Sequence, residues 1–208
     1  MIVSLLALSL MGCEPKDAGD TGDTGPPPDS TTDNGTNPDD TDTTVDPEAE
    51  IRSIQPSSIP QGPDPCREPQ LFRVYYVHDG DTFYVDPEDG GETESIRLIS
   101  IDTPELEYED SEGECYGNEA GQYLSAMLTD ELIWLSFDYK CADDYDRTLA
   151  YAHLGLEADD FVNRNMLRYG YAETYFWDDG QTSTFDEVFS ADEDAAQADD
   201  LGLWGACY

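Results

Sequence analysis

Three polar stretches hold most of the side chains in this sequence that could carry out chemistry together. Each lies at the end of a predicted strand, and they comprise Asp79–Thr82, Asp102–Glu105 and Asp143–Arg147. Asp81 and Asp102 can supply carboxylate oxygens and Thr103 a backbone carbonyl oxygen, which are the ligands that a hard cation such as Ca²⁺ prefers. The residue types therefore predict a metal site formed by the first two stretches.

The same part of the chain holds groups that hydrolysis of a phosphodiester needs. Arg97 and Arg147 carry permanently charged guanidinium groups, which donate paired hydrogen bonds to phosphate oxygens and suit the charge that gathers on a pentavalent phosphorus centre. Glu105 follows the second carboxylate by three residues, where it could orient or deprotonate a water molecule. Asp79 precedes Gly80, and this pair is ordinary turn chemistry, so Asp79 is interpreted as shaping the turn.

Apolar patterning predicts the elements that would position these groups. Five strands are expected at residues 71–77, 82–86, 95–101, 132–138 and 148–154. Three helices are expected at residues 118–129 with Asn118 as the N-cap, 158–172 with a stop at Gly170, and 184–200. Three meandering strands, a helix and two more strands predict an α+β fold built on a small closed five-stranded barrel of the OB type. An open α+β sandwich is the alternative.

The N-terminal part of the chain differs in composition from the rest. Residues 1–13 are apolar and end in Gly-Cys, which resembles a lipoprotein signal peptide that leaves Cys13 lipidated, although no Lys or Arg precedes the apolar run. An ordinary secretory signal or a chance apolar start are the alternatives. Residues 14–66 carry 13 acidic residues and little that could be buried, so we expect a disordered acidic linker.

All 13 Tyr, 7 Phe and 3 Trp lie after residue 71, so residues 67–208 are expected to form the folded domain. The interpretation as a whole is an exported protein, either anchored in the cell envelope through a lipid on Cys13 or secreted, and monomeric.

The cysteines indicate disulfide bonds. If Cys13 carries a lipid, an even number remains, namely Cys66, Cys115, Cys141 and Cys207. An even number in an exported chain is typical of a disulfide framework, and three pairings are possible. A zinc site and free thiols are the alternatives, but no CxxC or His-containing ligand spacing is present. His78 and His153 fit no ligand spacing either, and both are interpreted as surface or strand-edge residues.

Taken together, the motifs resemble those of the thermonuclease family, the staphylococcal-nuclease-like domains. The stretches VHDGDTFYV, IRLISIDTPE, CYGNEA, FDYKCADDYDRTLAY, VNRNMLRYGYA and LGLW occur in the family order between residues 71 and 208. The resemblance implies an OB barrel of five strands with three helices. It also implies a Ca²⁺-dependent endonuclease or exonuclease that acts on DNA and RNA and leaves 3′-phosphate ends.

The resemblance assigns roles to nine positions. Its Ca²⁺ ligands are matched by Asp81, Asp102 and Thr103. Its proposed general base and its two phosphate-binding arginines are matched by Glu105, Arg97 and Arg147. The aromatic residues of its nucleotide pocket fall at or near Tyr145, Tyr175 and Trp177. In the implied barrel the loops that carry Cys115 and Cys141 are neighbours, so the resemblance favours a Cys115–Cys141 bridge, with Cys66–Cys207 joining the ends of the domain.

The charge of the chain departs from what a nuclease usually shows. The net charge is −39, and residues 67–208 hold 35 acidic and 7 basic residues. A positive potential usually attracts a polyanionic substrate. Either the substrate is held only locally, by metal, Arg97, Arg147 and aromatic rings, or salt screens the repulsion. The third reading is a non-catalytic OB-fold binding module on a cell-envelope tether. The complete set of metal-binding and catalytic residue types favours the enzyme.

Overall fold

A closed barrel of five strands forms the centre of the fold. The computed structural model describes residues 46–107, 112–177 and 182–208. Its strands are β1 Gln70–Val77, β2 Thr82–Pro87, β3 Glu94–Leu98, β4 Ile101–Asp102, β5 Leu132–Ser136, β6 Thr148–His153 and β7 Glu173–Thr174. The barrel order is β1-β2-β3-β6-β5, and β4 pairs with β7 in a separate ribbon. Strands β3 and β6 run parallel, whereas the other barrel neighbours run antiparallel. The predicted α+β fold with a five-stranded OB-type barrel is therefore confirmed.

Five α-helices surround the barrel in the described part of the chain. They are α1 Pro47–Ser53, α2 Gly117–Leu128, α3 Val162–Arg168, α4 Asp186–Ala198 and α5 Leu203–Cys207. Helices α2, α3 and α4 lie within the three predicted segments or one residue from them, whereas α1 and α5 are additional. The N-cap of α2 is Tyr116, with a φ of 74°, and not Asn118 as the sequence suggested. No helix that the structure describes is long and apolar enough to cross a membrane.

The barrel core follows from the alternation of side chains along each strand. Phe72 and Val74 of β1, and Phe83 and Val85 of β2, are fully buried, while residues between them face outward. All five residues of β5 are buried, because the outer face of that strand is covered as well. This second covering layer comes from the segment before β1.

The predicted boundary at residue 66 is therefore too late. The segment from residue 46 to residue 66 packs along β5, with Ile51 of α1 and Ile59 buried against Leu132 and Trp134. The indole N–H of Trp134 donates a hydrogen bond to the Ile51 carbonyl at 3.0 Å. A few isoleucines in an acidic stretch give little periodic signal, and only the apolar outer face of β5 makes them part of a core. The predicted signal peptide (1–13), Cys13 and the linker before residue 46 lie outside the described residues.

The third predicted strand is interrupted. Strand β3 ends at Leu98, and Ser100 has a φ of 62°, so the chain turns before β4 begins at Ile101. Asn163 stabilises this turn by donating from Nδ2 to the Ile99 carbonyl at 2.9 Å. The helix predicted at 158–172 is likewise shorter, with a 3₁₀ turn before α3 and a stop close to the predicted glycine at 170, whose φ is 69°.

The predicted disulfide pairing is wrong, although all four cysteines are bonded. The bridges are Cys66–Cys141 and Cys115–Cys207. Cys66 lies beside the end of β5 because its N–H donates to the Asp138 carbonyl at 2.8 Å, which brings it to the loop after that strand. Helix α5 lies against the loop before α2, so Cys207 meets Cys115 there. These bonds also exclude a zinc site and free thiols at these four positions.

His153 is not a surface residue, contrary to the sequence interpretation. It is 2% exposed on β6, packs against Phe161, and shares a hydrogen bond of 2.9 Å between its Nε2 and Ser136 Oγ. Burial lowers the pKa of His153 to about 3, so the ring is neutral. It is part of the barrel wall, at the end of a strand in which five consecutive residues are buried.

Candidate active site

The turn between β1 and β2 presents Asp81 to a cleft on one side of the barrel. Asp79 Oδ1 accepts hydrogen bonds from the backbone N–H groups of Asp81 (3.0 Å) and Thr82 (2.7 Å), as in an Asx turn. A Cβ atom at Gly80 would lie 2.7 Å from Thr103 Oγ1, so no larger residue fits there without displacing the second polar stretch. The geometry agrees with a turn-forming role for Asp79.

Asp81 is a buried carboxylate, 6% exposed. Its Oδ1 accepts from Thr82 Oγ1 at 2.9 Å, and its Oδ2 accepts from the N–H (3.1 Å) and the hydroxyl (3.2 Å) of Thr103. Burial raises the pKa of Asp81 to about 7, and the negative charge of Asp79 adds to this rise, while the charge of Arg97 opposes it. A cation beside this carboxylate would stabilise its charged form.

Arg97 is fixed by four contacts and faces both predicted metal carboxylates. Its Nη1 donates to the carbonyls of Leu98 and Ile101, each at 2.7 Å. Its Nη2 lies 2.6 Å from Asp102 Oδ1 and 3.0 Å from Asp81 Oδ2. Those two carboxylate oxygens are therefore no more than 5.6 Å apart, the sum of the two distances. The turn after β3 is needed for this arrangement, because it brings the Ile101 carbonyl back to the guanidinium.

The donor atoms at this point fit a hard cation. Two oxygen ligands of one Ca²⁺ ion, each about 2.3–2.6 Å from it, lie at most about 5.2 Å apart. The two carboxylate oxygens are no more than 5.6 Å apart, so a shift of at most a few tenths of an ångström brings both within reach of one ion. In the described ranges, no group of three or more His, Cys, Asp or Glu side chains could hold a metal ion. A cation on Asp81 and Asp102 would therefore complete its coordination with backbone carbonyls, such as that of Thr103, and with water.

Glu105 is held at the edge of the cleft by its backbone. Its N–H donates to Glu114 Oε2 at 3.1 Å, and its carbonyl accepts from the Glu114 N–H at 2.9 Å. Glu114 precedes Cys115, which is bonded to Cys207 of α5. Partial burial raises the pKa of Glu105, and the neighbouring carboxylates raise it further. The Glu105 side chain is exposed and lines the cleft, where it is accessible to water.

Arg147 is positioned by the loop between β5 and β6. Asp143 Oδ2 accepts from Arg147 Nε at 2.6 Å, and Asp143 Oδ1 accepts from the backbone N–H groups of Tyr145 and Arg147, each at 2.9 Å. Burial opposes ionisation of Asp143, but the hydrogen bonds from Arg147 outweigh it and lower its pKa. Arg147 Nη1 also donates to Thr82 Oγ1 at 3.3 Å. The Thr82 hydroxyl therefore connects Arg147 with Asp81.

Aromatic rings lie beside the two arginines. Tyr145 is exposed, and the Arg147 guanidinium carbon lies 5.5 Å from its ring centroid. The Tyr175 and Trp177 rings meet edge to face at 6.0 Å, and Lys140 Nζ lies 4.8 Å above the Trp177 ring. Among the described residues, Lys140 is the only Lys or Arg without a described carboxylate oxygen within 4 Å.

Two adjoining clefts bring the predicted site residues together. One has a volume of about 610 Å³, and its walls include Asp81, Arg97, Asp102, Glu105, Tyr145 and Arg147. The other has a volume of about 460 Å³, and its walls include Lys140, Tyr175 and Trp177. Four residues line both clefts, namely Arg97, Asp102, Tyr145 and Arg147. Eight of the nine predicted residues therefore face one continuous space, and Thr103 supports Asp81 from beside it.

Some residues of the site are missing from the sequence prediction. Asp143 and Glu114 position Arg147 and Glu105, and Lys140 is a third cation of the site. A signal existed for Asp143, which lies four residues before Arg147, and for Lys140, the only lysine of the folded part. No pattern indicates Glu114, because its contact with Glu105 depends on the path of the loop.

The fold and the site define an α+β protein of the OB-barrel class, with carboxylates, arginines and a glutamate lining one cleft. A family model described as staphylococcal nuclease homologue matches residues 95–206, more than half of the chain. The protein belongs to this family, and the resemblance seen in the sequence is confirmed.

Several relatives carry names that state an activity. The chain is 35% identical over 108 residues to a thermonuclease of Staphylococcus hyicus, which is 52% of this chain and 61% of that protein. It is 31% identical over 135 residues to a thermonuclease of Staphylococcus intermedius, covering 65% and 76%. It is 29% identical over 127 residues to endonuclease YncB of Bacillus subtilis strain 168, covering 61% and 57%. The chain thus spans less than two thirds of the first and third of these relatives.

Proposed function

We propose that this protein is a Ca²⁺-dependent nuclease that hydrolyses phosphodiester bonds of DNA, RNA or both by attack of water and leaves 3′-phosphate ends. One observation carries the proposal. The Arg97 guanidinium lies between the carboxylates of Asp81 and Asp102, in the cleft that Arg147 and Glu105 also line. The family and the names of its thermonuclease and endonuclease members support it.

Each side chain has a task that its position suits. Arg97 and Arg147 would donate hydrogen bonds to the phosphate oxygens and stabilise the charge that develops there. Glu105 would orient the attacking water or accept its proton. Asp81 and Asp102, with the Thr103 carbonyl, would hold Ca²⁺, which when bound supplies positive charge that neutralises the phosphate.

The acidic residues beside the two arginines would hold the guanidinium groups in position. Arg97 and Arg147 are held in place by Asp102 and Asp143 at 2.6 Å each, so their geometry is fixed before substrate arrives. The arrangement reduces the conformational entropy lost on binding. Tyr145, Tyr175 and Trp177 would contact the sugar and base parts of the substrate from the walls of the same space.

Cleavage of labelled single- and double-stranded DNA and of RNA, with Ca²⁺ or with EDTA, tests the proposal. Arg97→Ala and Glu105→Gln should each lower kcat by a factor of about 10² or more, as loss of a transition-state contact does in other enzymes. Arg73→Ala is the matched control, because Arg73 pairs with Glu48 outside the clefts. Wild-type protein without cleavage at any salt concentration, or cleavage that survives both site changes, would overturn the proposal.

A second candidate is a non-catalytic binding module. Two features favour it. The guanidinium groups of Arg97 and Arg147 already form ion pairs with Asp102 and Asp143. Residues 67–208 also hold 35 acidic and only 7 basic residues. The same assays separate the two candidates, since a module would bind oligonucleotides without cleaving them. The enzyme should work best at raised salt, where the Debye length falls to a few Å and the acidic surface repels the substrate less.

Export and anchoring complete the proposal. A lipid on Cys13 would anchor the protein in the cell envelope. The alternative is a secreted protein that is not anchored. The protein is monomeric in either case. The two disulfides of the domain support export, because disulfide bonds form and persist in oxidising compartments. Fractionation and fatty-acid labelling of the wild type and Cys13→Ser provide the test, and the variant should lose both label and membrane association. A labelled variant, or an unlabelled wild type in the cytosol, would contradict it.

A further inference from the structure

Three tyrosines form an exposed aromatic surface on β1 and β2. The pairing of these strands shifts between Val74 and Tyr76, so that Tyr75 is an extra residue in β1. Side chains of consecutive strand residues normally point to opposite faces, but a bulge disrupts this alternation. Here Tyr75 and Tyr76 are both exposed, at 46% and 51%, and both lie beside Tyr84, with ring centroids 6.1 and 5.9 Å from it. We call Tyr75, Tyr76 and Tyr84 the tyrosine surface.

The tyrosine surface is continuous with the candidate active site. Tyr84 is one wall of the cleft that also contains Arg97 and Arg147. The ring of His78, another wall of that cleft, lies 6.4 Å from Tyr76. A strand bound with one phosphate at the arginines would therefore meet the tyrosine rings as its next bases leave the cleft.

The chemistry of this surface suits an unpaired strand. Every nucleobase has a π-face, so aromatic side chains stack with single-stranded nucleic acid regardless of sequence. Bases inside a duplex are already stacked and cannot use the rings in this way. Stacking also needs no positive charge, and on a domain with 35 acidic and 7 basic residues it provides attraction that electrostatics does not.

We propose that the tyrosine surface is a binding site for the bases of a single-stranded nucleic acid, on the strand segment next to the phosphate that is cleaved. The inference rests on the proposed nuclease function and adds to it a binding site on β1 and β2, beside the clefts, that a strand several nucleotides long would reach. Short fragments would fill only the clefts.

Steady-state cleavage in Ca²⁺ of a 20-nucleotide single strand and of a trinucleotide tests the site in the full-length protein. Tyr75→Ala/Tyr76→Ala should raise KM for the 20-nucleotide strand at least fivefold and leave kcat unchanged, while KM for the trinucleotide stays within twofold. Tyr75→Phe/Tyr76→Phe keeps both rings and should behave like the wild type. Tyr169→Ala is the matched control, since Tyr169 at the end of α3 is 52% exposed and lines neither cleft.

Fluorescence anisotropy with the same strands in EDTA separates binding from cleavage. The weaker binding of the double variant should persist from 50 to 500 mM salt, because a stacking contact releases few counterions. Absence of cleavage with this binding pattern would refute the proposed function and leave the site intact. Unchanged binding and KM would refute the site, as would an equal loss on duplex DNA or on the trinucleotide.

Two controls distinguish base binding from a structural or oligomeric role of the rings. Cross-strand ring pairs also stabilise sheets, so the melting temperature of each variant must be measured. If the double variant is unfolded, Tyr76→Thr replaces it, because Thr is also a strand-forming residue. This variant should raise KM for the 20-nucleotide strand but not for the trinucleotide, by a smaller factor than the double variant. A dimer that dissociates in the double variant, with oligonucleotide binding unchanged, would assign the surface to a protein interface and refute the proposal.

Discussion

Removal of the Cys115–Cys207 bridge should lower both stability and the rate of the chemical step. The bridge joins α5 to the residue after Glu114, and Glu114 holds the backbone of Glu105 by two hydrogen bonds. Cys115→Ser/Cys207→Ser therefore loosens the loop that presents Glu105 to the cleft. The other bridge, Cys66–Cys141, fastens a different loop and serves as comparison.

The stability cost follows from the length of chain that each bridge closes. The bonded cysteines are 92 residues apart in one case and 75 in the other. The chain-entropy relation gives about 4.6 and about 4.5 kcal/mol for these separations, with about 2–4 kcal/mol typical of measured bridges. For a domain of this size, the loss corresponds to a fall in melting temperature of roughly 5–15 °C. The two bridges should thus contribute almost equally to stability.

Their effects on catalysis should differ. Unfolding would be followed by circular dichroism without reductant, and cleavage would be measured at least 15 °C below the lower melting temperature, so that every protein is folded. Loss of Cys115–Cys207 should lower kcat several-fold and change the acidic limb of its pH profile, because the loosened group is Glu105, whose pKa is raised in its present position. Loss of Cys66–Cys141 should leave that limb unchanged.

Three results would refute this reasoning. A stability loss below about 1 kcal/mol for either pair would contradict the loop-closure account. Equal falls in kcat for the two variants, with the same pH profile, would show that the bridges act only through general stability. Unchanged kcat after loss of Cys115–Cys207 would show that the loop holds Glu105 without the bridge.

Further predictions concern charge at three positions. In urea unfolding in EDTA, Asp81→Asn should gain stability relative to the wild type as pH rises from about 4 to 7. The pKa of Asp81 is raised to about 7 in the native state, so over this range the carboxyl ionises in the unfolded state while it stays protonated in the native state, and the wild type loses stability. Added Ca²⁺ should raise the melting temperature of the wild type and not of this variant, which should also lose activity. Lys140→Ala should reduce the slope of log affinity against log salt by about 1 for oligonucleotides, if Lys140 contacts one phosphate. Burial lowers the pKa of His153 to about 3. The free energy of unfolding should therefore be highest above pH 6.5 and fall by about 2 kcal/mol at pH 5, because the unfolded state takes up a proton that the buried ring does not. His153→Gln should remove this fall.

The sequence by itself determined the barrel and the side chains that face its cleft. Apolar runs bounded by polar turns identified the five barrel strands, with alternating burial in β1 and β2 and continuous burial in β5. The Asp79-Gly80 turn was also readable, because an Asx turn involves only neighbouring residues. The roles assigned to Asp81 and Arg97 follow from residue type and family pattern, and they stay predictions until cleavage and metal binding are measured.

Only the tertiary structure decided which distant groups meet. The pairing of Cys66 with Cys141 depends on a segment that packs along β5, and the sequence around Ile51 has too few apolar residues to reveal this. The exposure of both Tyr75 and Tyr76 depends on the register of β1 against β2. Local patterns record the burial of single elements, whereas pairings between distant segments depend on how the elements pack, and that packing placed one guanidinium between two carboxylates.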